Sequence, residues 1–435
     1  MMTNNNNYIR WGCVQPLTGG MYIGAAYAIG HDAEWIVSYS GTDVVKKDKD
    51  GNIVSAGNEY NLLDWLDKNN CNVPYYHFEH GMFDDICLSE AKMDNIKNGN
   101  DNVDKSIFRN LDLIVAVPVC AGLSNVTIAN DDTKDKRNCN MLWIAKWVLN
   151  YCSPKAYIFE NAPTLMSDRG EHVRNQLETI AYKAGYSILY YKTDTKYHNN
   201  PQKRPRTFVC FFKHTISDCY KQMPPLFNYE HKMINVRDYM NKIPSATTLN
   251  VPFAMSPLNV MLMNFIKERE GNGWRHKIPA DLIKYITKNN LYDEFRKYIE
   301  NCNIDSSIKD KSIAFINHAE YKKSQGKNFY STTLCQYGDN TPAVQFKSIQ
   351  TMLHHDDDRL LTAREAMWLM GLPNDFELCG DINVDGAKIG QNVPVGTAKF
   401  IVSEAVRVIE NWDNIDREIG NANIYYQDNT KYEQN

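Results

Sequence analysis

The chain has 435 residues, with 48 basic and 52 acidic side chains, a formal net charge of -4 and 11 cysteines. At ~150 residues per domain, this length suggests two or three domains with enough buried surface to fold without disulfide staples. A composition of 43% apolar and 23% charged residues excludes extensive disorder and fibrous repeats, and the mild acidity excludes an overall basic coat while leaving room for a local basic cleft.

Residues 1–10 carry a run of Asn where a signal peptide would have its apolar core. No stretch of the chain approaches the ~18 to 20 apolar residues of a membrane span. A cytoplasmic protein with no membrane partner is expected, in a bacterium or, if phage-encoded, in the host cytoplasm. The odd cysteine count and the absence of C-x-x-C spacing point to neither a disulfide framework nor a zinc ribbon.

Short runs rich in Val, Ile, Tyr and Phe predict strands at 11–17, 35–40, 73–79, 111–118, 156–161, 186–192 and 207–213. Amphipathic stretches at 22–29, 60–69, 140–151 and 171–184 predict helices between them. Strands alternating with helices imply an α/β, doubly wound, mainly parallel sheet covered on both faces. The polar, Gly-containing stretch 46–58 reads as a surface loop. Alternation fades after about residue 214. Helical stretches at 279–289 and 291–300 then suggest a smaller domain. Near residue 360, Thr362-Ala-Arg-Glu365 forms a capping box that starts a helix with Ala366, Leu369 and Met370 on its apolar face. Gly371-Leu-Pro373 stops it. A last helix is expected over 396–411, and the tail from 421 is polar and expected to fray.

Three segments carry candidate chemistry. Residues 111–124 form an apolar run ending in Pro118, Cys120, Gly122 and Ser124. Ligands bind at the carboxyl ends of parallel strands, so Cys120 stands where a nucleophile would be reachable. Residues 156–161 deliver Glu160 and Asn161 to another strand end, where a carboxylate suits acid catalysis or base recognition. Gln202, Arg204 and Arg206 alternate before an apolar strand. Residues two apart on an extended chain point the same way, so both guanidinium groups are expected to face one site and bind phosphate or orient a carboxylate. His354-His355-Asp356-Asp357-Asp358 has metal-ligand residue types. Consecutive residues do not converge on one ion without an unusual turn, so a polar loop and no metal are expected. His198 is read as a solvated loop residue near the Arg pair.

Taken together, Val119-Cys120-Ala121, Glu160-Asn161-Ala162 and Gln202-Lys203-Arg204-Pro205-Arg206 resemble three motifs of the DNA cytosine-5 methyltransferases. Residues 359–365 and 371–376 resemble a fourth motif, and Ile389-Gly-Gln-Asn392-Val-Pro394 resembles the last. The resemblance covers roughly 12–212 and 340–412. It implies a Rossmann-like methyltransferase sheet split around a target-recognition domain. The implied boundaries are 1–212 and 345–412 for the catalytic domain, 213–344 for recognition and 413–435 for a polar tail.

The resemblance further implies covalent catalysis on a flipped-out cytosine in double-stranded DNA, by a protein acting as a monomer. Cys120 would add to carbon 6 and Glu160 would hold N3. Arg204 and Arg206 would hold the base and orient Glu160. Gly19, Gly20, Gly24, Pro118 and Asn392 would line the S-adenosylmethionine site. Ser124, Lys134, Lys136, Arg137, Gln202 and Lys203 would contact DNA. The departures from the family pattern fall on the cofactor side. The glycine pattern at 16–24 is partial, and the strand at 35–40 lacks the acid that binds the cofactor ribose in the family. The alternatives are therefore methylenetetrahydrofolate as donor, giving 5-hydroxymethylcytosine, or an inactive DNA-binding homologue.

Overall fold

The computed structural model describes residues 8–39, 46–51, 53–55, 57–78, 96–97, 104–118, 123, 138–213, 234–243, 249–277, 282–326, 343–344, 352–410 and 424–428. The strands are β1 (Trp11–Val14), β2 (Trp35–Tyr39), β3 (Lys46–Lys47), β4 (Ile53–Ser55), β5 (Tyr75–Phe78), β6 (Ile96–Lys97), β7 (Leu113–Ala116), β8 (Ala156–Asn161), β9 (Tyr186–Asp194), β10 (Gln202–Lys203), β11 (Pro205–Lys213), β12 (Ala343–Val344) and β13 (Ile424–Asp428). The helices are α1 (Gly20–Ile29), α2 (Asn58–Lys68), α3 (Cys139–Trp147), α4 (Glu171–Ala184), α5 (Val236–Met240), α6 (Pro257–Glu270), α7 (Trp274–Lys277), α8 (Leu282–Lys288), α9 (Tyr292–Asn301), α10 (Ser306–Ser324), α11 (Ala363–Leu369), α12 (Ile382–Ile389) and α13 (Val395–Glu410).

Nine strands form one sheet in the order β13-β9-β11-β8-β7-β1-β2-β5-β6. Strands β8, β7, β1, β2 and β5 run parallel. β11 lies antiparallel between β8 and β9. The expected doubly wound, mainly parallel sheet is therefore observed. From β1 the chain winds outward to β2 and β5, then returns to lay β7 and β8 on the other side. The strand order thus reverses between β1 and β7, which in open α/β sheets is where a ligand crevice forms.

Side-chain alternation divides the core in two. Cys13, Leu113, Val115, Ile158 and Phe208 face a core shared with Ile23 of α1, Leu62 of α2 and Ile401 of α13. Val14, Ile114, Ala116, Phe159 and Val209 face the opposite core, with Leu142 of α3 and Leu177 of α4. Strands buried on both faces read as continuous apolar runs, which is why these segments were legible in the sequence.

Within 213–344 the described residues form helices α5 to α10 and strand β12. The patterning at 279–289 and 291–300 corresponds to α8 and α9. The loop 354–358 is tied to three of these helical elements. Asp356 pairs with Arg237 at 2.8 Å, and Asp358 pairs with Arg275 at 2.7 Å and with Lys267. Burial pushes the Asp358 carboxyl up, but the bonds from Lys267 and Arg275 outweigh it and hold it below the usual range. Among the described residues, no helix is long and apolar enough to cross a membrane.

Two expectations are corrected here. The polar tail contains β13, which pairs in parallel with β9 from Ile424↔Ile188 to Asp428↔Lys192. Its alternation is too short to stand out, but the open edge of β9 supplies the missing backbone partners. The helix expected at 140–151 is α3 continued by a π-helical turn over Val148–Cys152, which ends at Ser153 with φ 54°.

Candidate active site

The crevice at the strand-order reversal is bounded by the turn after β1 and the end of β7. That turn carries three left-handed residues, Gln15 (φ 50°), Leu17 (φ 53°) and Gly19 (φ 100°). Two of them are not glycine, so the backbone there is strained, as is common at ligand sites. The Gly20 N–H donates to Asn392 Oδ1 at 2.9 Å, and Thr18 Oγ1 donates to the Lys388 carbonyl at 3.2 Å. A Cβ on Gly20 would lie 1.9 Å from the Val393 carbonyl, and one on Gly24 would lie 2.4 Å from Ala398 Cβ. Gly20 and Gly24 are thus required where α1 packs against the 388–398 segment. Gly19, Gly20 and Asn392 come together at the crevice, whereas Gly24 faces α13 one turn further on. Pro118, just past β7, is buried.

On the other side of the crevice stands Glu160, 4% exposed at the end of β8. Cross-strand pairing places Glu160 opposite Phe208. Arg206, two residues earlier on β11, is therefore a diagonal neighbour on the same face. Its Nε lies 2.6 Å from Glu160 Oε1. A charge-assisted bond of this length fixes the carboxylate's orientation.

Arg204 and Gln202 reach elsewhere. Arg204 Nη1 donates to the Gly390 carbonyl at 2.6 Å, and its backbone N–H donates to Asp194 Oδ1 at 2.8 Å. The expectation that both guanidinium groups face one target is corrected. Residue 204 lies between β10 and β11, where strict alternation does not hold. Gln202 is fully buried; its Nε2 donates to the Leu369 carbonyl and lies 3.1 Å from Met370 Sδ. This corrects its expected DNA contact, because a side chain enclosed at the end of α11 does not reach phosphate. Lys203 is exposed. His198 is not solvated; it is buried and stacks on Phe400 of α13 at 4.4 Å. Burial lowers its pKa to about 3.

Cys120, Ser124, Lys134, Lys136 and Arg137 lie outside the described residues. Leu123, three residues beyond Cys120, is described and buried, and its carbonyl accepts from Thr164 Oγ1 just after β8. That bond ties Leu123 to the turn that follows the strand carrying Glu160.

Among the described residues, Gln15 Oε1, Ser38 Oγ and Asn392 Nδ2 are buried polar atoms at the strand ends without a hydrogen-bond partner. Gln15 follows β1 and Ser38 sits near the carboxyl end of β2. Buried polar groups are nearly always satisfied, so these three atoms are candidates for contact with a ligand at the strand ends. Sequence reasoning missed Gln15 and Ser38; their one legible signal was position at strand ends. Among the described residues, no group of three His, Cys, Asp or Glu could hold a metal ion.

The family model for C-5 cytosine-specific DNA methylases matches residues 84–407. The chain is 21% identical to DNA (cytosine-5)-methyltransferase 3 of Arabidopsis thaliana over 357 residues, covering 71% of this chain and 24% of that protein. It is also 21% identical to the type II methyltransferase M.Bpa9945I of Bacillus paralicheniformis, covering 69% of this chain and 71% of that one. The chain thus spans about a quarter of its plant relative and over two thirds of its bacterial one. Among solved structures, one described as a DNA modification methyltransferase encoded within a prophage (E. coli) superposes with a TM-score of 0.55 at 16% identity. It covers 92% of this chain and 99% of that one, a likeness of fold.

Proposed function

From the premise that the chain belongs to the C-5 cytosine-specific DNA methylase family, we propose that it transfers a methyl group to carbon 5 of a flipped-out cytosine in double-stranded DNA. The observation that carries this reading is the Arg206–Glu160 pair at 2.6 Å, set beside a ligand crevice. Residues 213–344 act as the recognition domain, and 1–212 with 345–412 as the catalytic one.

Carbon 5 of cytosine is a poor nucleophile. The Cys120 thiolate adds to carbon 6, and the resulting electron density is placed on carbon 5. Glu160, oriented by Arg206 and in its protonated form when the base is bound, donates its carboxyl proton to N3, so the ring carries no full negative charge during addition. After transfer, loss of the carbon-5 proton expels the thiol. A stacked base is out of reach of these groups, so flipping precedes addition. Lys134, Lys136 and Arg137 contact phosphate around the extruded nucleotide, with Lys203 and Ser124.

S-adenosylmethionine fits the crevice residues. The strained turn at 15–19 and the orphaned Gln15 Oε1, Ser38 Oγ and Asn392 Nδ2 offer neutral polar contacts to its hydroxyl and amino-acid groups. When bound, it supplies the electrophilic methyl group that carbon 5 takes. The lack of an acid at the end of the 35–40 strand, where the family carries one, keeps a second donor, methylenetetrahydrofolate, as the competing reading.

Mass spectrometry of nucleosides from DNA of cells expressing the protein tests the proposal. It should show 5-methylcytosine, absent with Cys120→Ser. 5-hydroxymethylcytosine would favour the folate reading, and unmodified DNA would overturn both.

A further inference from the structure

Gln202, Arg204 and Arg206 occupy one five-residue segment yet bind three separate parts of the molecule. Arg206 holds Glu160. Gln202 holds the end of α11. Arg204 holds the Gly390 carbonyl at 2.6 Å. Two residues beyond Gly390, Asn392 is fully buried, and its Oδ1 accepts the Gly20 N–H at 2.9 Å. The bond to an N–H fixes which end of the amide is oxygen. Its Nδ2 is then a buried donor with no partner among the described residues, standing beside the α1 N-terminus at the strand-order reversal. Val393 fills the space a Cβ on Gly20 would take, so the turn and the helix start shift together or not at all.

We infer that Arg204 is a positioning residue that, through the Gly390–Asn392 turn, sets the α1 N-terminus and the free Asn392 amide on the donor side of the crevice. The same segment sets Glu160 on the base side through Arg206. One rigid stretch thereby holds both halves of the site in register, although they come from opposite ends of the sequence. The assignment of a donor side rests on the methyl-transfer reading above.

The test uses the full chain, with Arg204→Met, Arg204→Lys, Asn392→Ala and Arg206→Met. Hydrogen exchange of the peptide spanning 18–24 is read by mass spectrometry, and S-adenosylmethionine binding by calorimetry. Arg204→Met and Asn392→Ala should each speed exchange in that peptide about tenfold while the β7 and β8 peptides keep their protection. Both should weaken S-adenosylmethionine binding about tenfold. Arg204→Lys, which keeps one donor for the Gly390 carbonyl, should recover part of both effects, and Arg206→Met should speed exchange in the 18–24 peptide no more than in the β7 peptide. Unchanged exchange in Arg204→Met overturns the inference. So does acceleration shared by every peptide, since that is general destabilisation. If Arg204→Met does not fold, Asn392→Ala breaks the same connection at its far end and decides the matter. If the wild-type protein does not bind S-adenosylmethionine, the donor reading fails, while the exchange comparison still decides the role of Arg204.

Discussion

The Glu160 carboxylate is buried and held by one guanidinium, so each partner makes the other tolerable. Removing Arg206 alone leaves a buried acceptor without its donor, which costs about 1–3 kcal/mol. Neutralising the carboxylate at the same time reduces that penalty, because an unpaired amide costs less to bury than an unpaired charge. Arg206→Met should therefore destabilise the protein in urea by more than the Glu160→Gln, Arg206→Met pair does, a non-additivity expected for residues in contact. Equal or additive losses would show that the pair is not coupled.

His198 makes a different residue-scale prediction. Its pKa in the fold is about 3, against about 6.5 in the unfolded chain. Between these values the unfolded state binds more protons, so stability rises with pH. It is complete above pH 6.5 and is lost as pH falls toward 3, by up to about 1.4 kcal/mol per pH unit. His198→Phe, which keeps a ring against Phe400, should flatten the melting temperature between pH 6.5 and 4.5. Burial likewise lowers the pKa of His354, so some acid sensitivity should persist. The Glu160 and Arg206 pairing was expected from the resemblance of their two segments to motifs of one family, whereas the two-residue alternation wrongly sent Arg204 to the same place. The solvated reading of His198 failed because nothing local reveals that Phe400, two hundred residues away, covers the ring.

At the scale of elements, α11 shows how completely a local signal can act. Thr362 Oγ1 accepts from the Glu365 N–H at 3.1 Å, and Glu365 Oε2 accepts from the Thr362 N–H at 2.8 Å, forming the capping box read from the sequence. Gly371 ends the helix at φ 72°. α1 shows the opposite case. Its glycines resemble a cofactor loop, yet Gly24 is dictated by α13. In a free helix, Gly→Ala gains about 1 kcal/mol. Here the new Cβ would meet Ala398 Cβ at 2.4 Å and the Val395 carbonyl at 2.6 Å, and overpacking costs about 1–3 kcal/mol. Packing should win: Gly24→Ala should lower the denaturation midpoint, and a raised midpoint would refute the tight α1–α13 contact.

For the whole molecule, the sheet is completed by segments far apart in the chain. β13 covers β9, with Lys192 and Asp428 3.3 Å apart and Tyr426 stacked on Tyr190. Deleting residues 424–435 should expose the β9 edge, lower the melting temperature by a few degrees and promote aggregation, visible in size-exclusion chromatography. An unchanged melting temperature and elution profile would show that the edge needs no cover.

By itself the sequence determined the parallel sheet, the α11 cap and the Glu160 and Arg206 strand-end positions. Each depends on apolar runs, periodicity or capping residues within a few positions of one another. Only the tertiary structure decided which partner each polar group of the 202–206 segment takes, why Gly20 and Gly24 are glycine, and that the tail adds a strand. Those outcomes depend on contacts between residues up to several hundred positions apart, and local pattern carries no record of what will arrive across the fold.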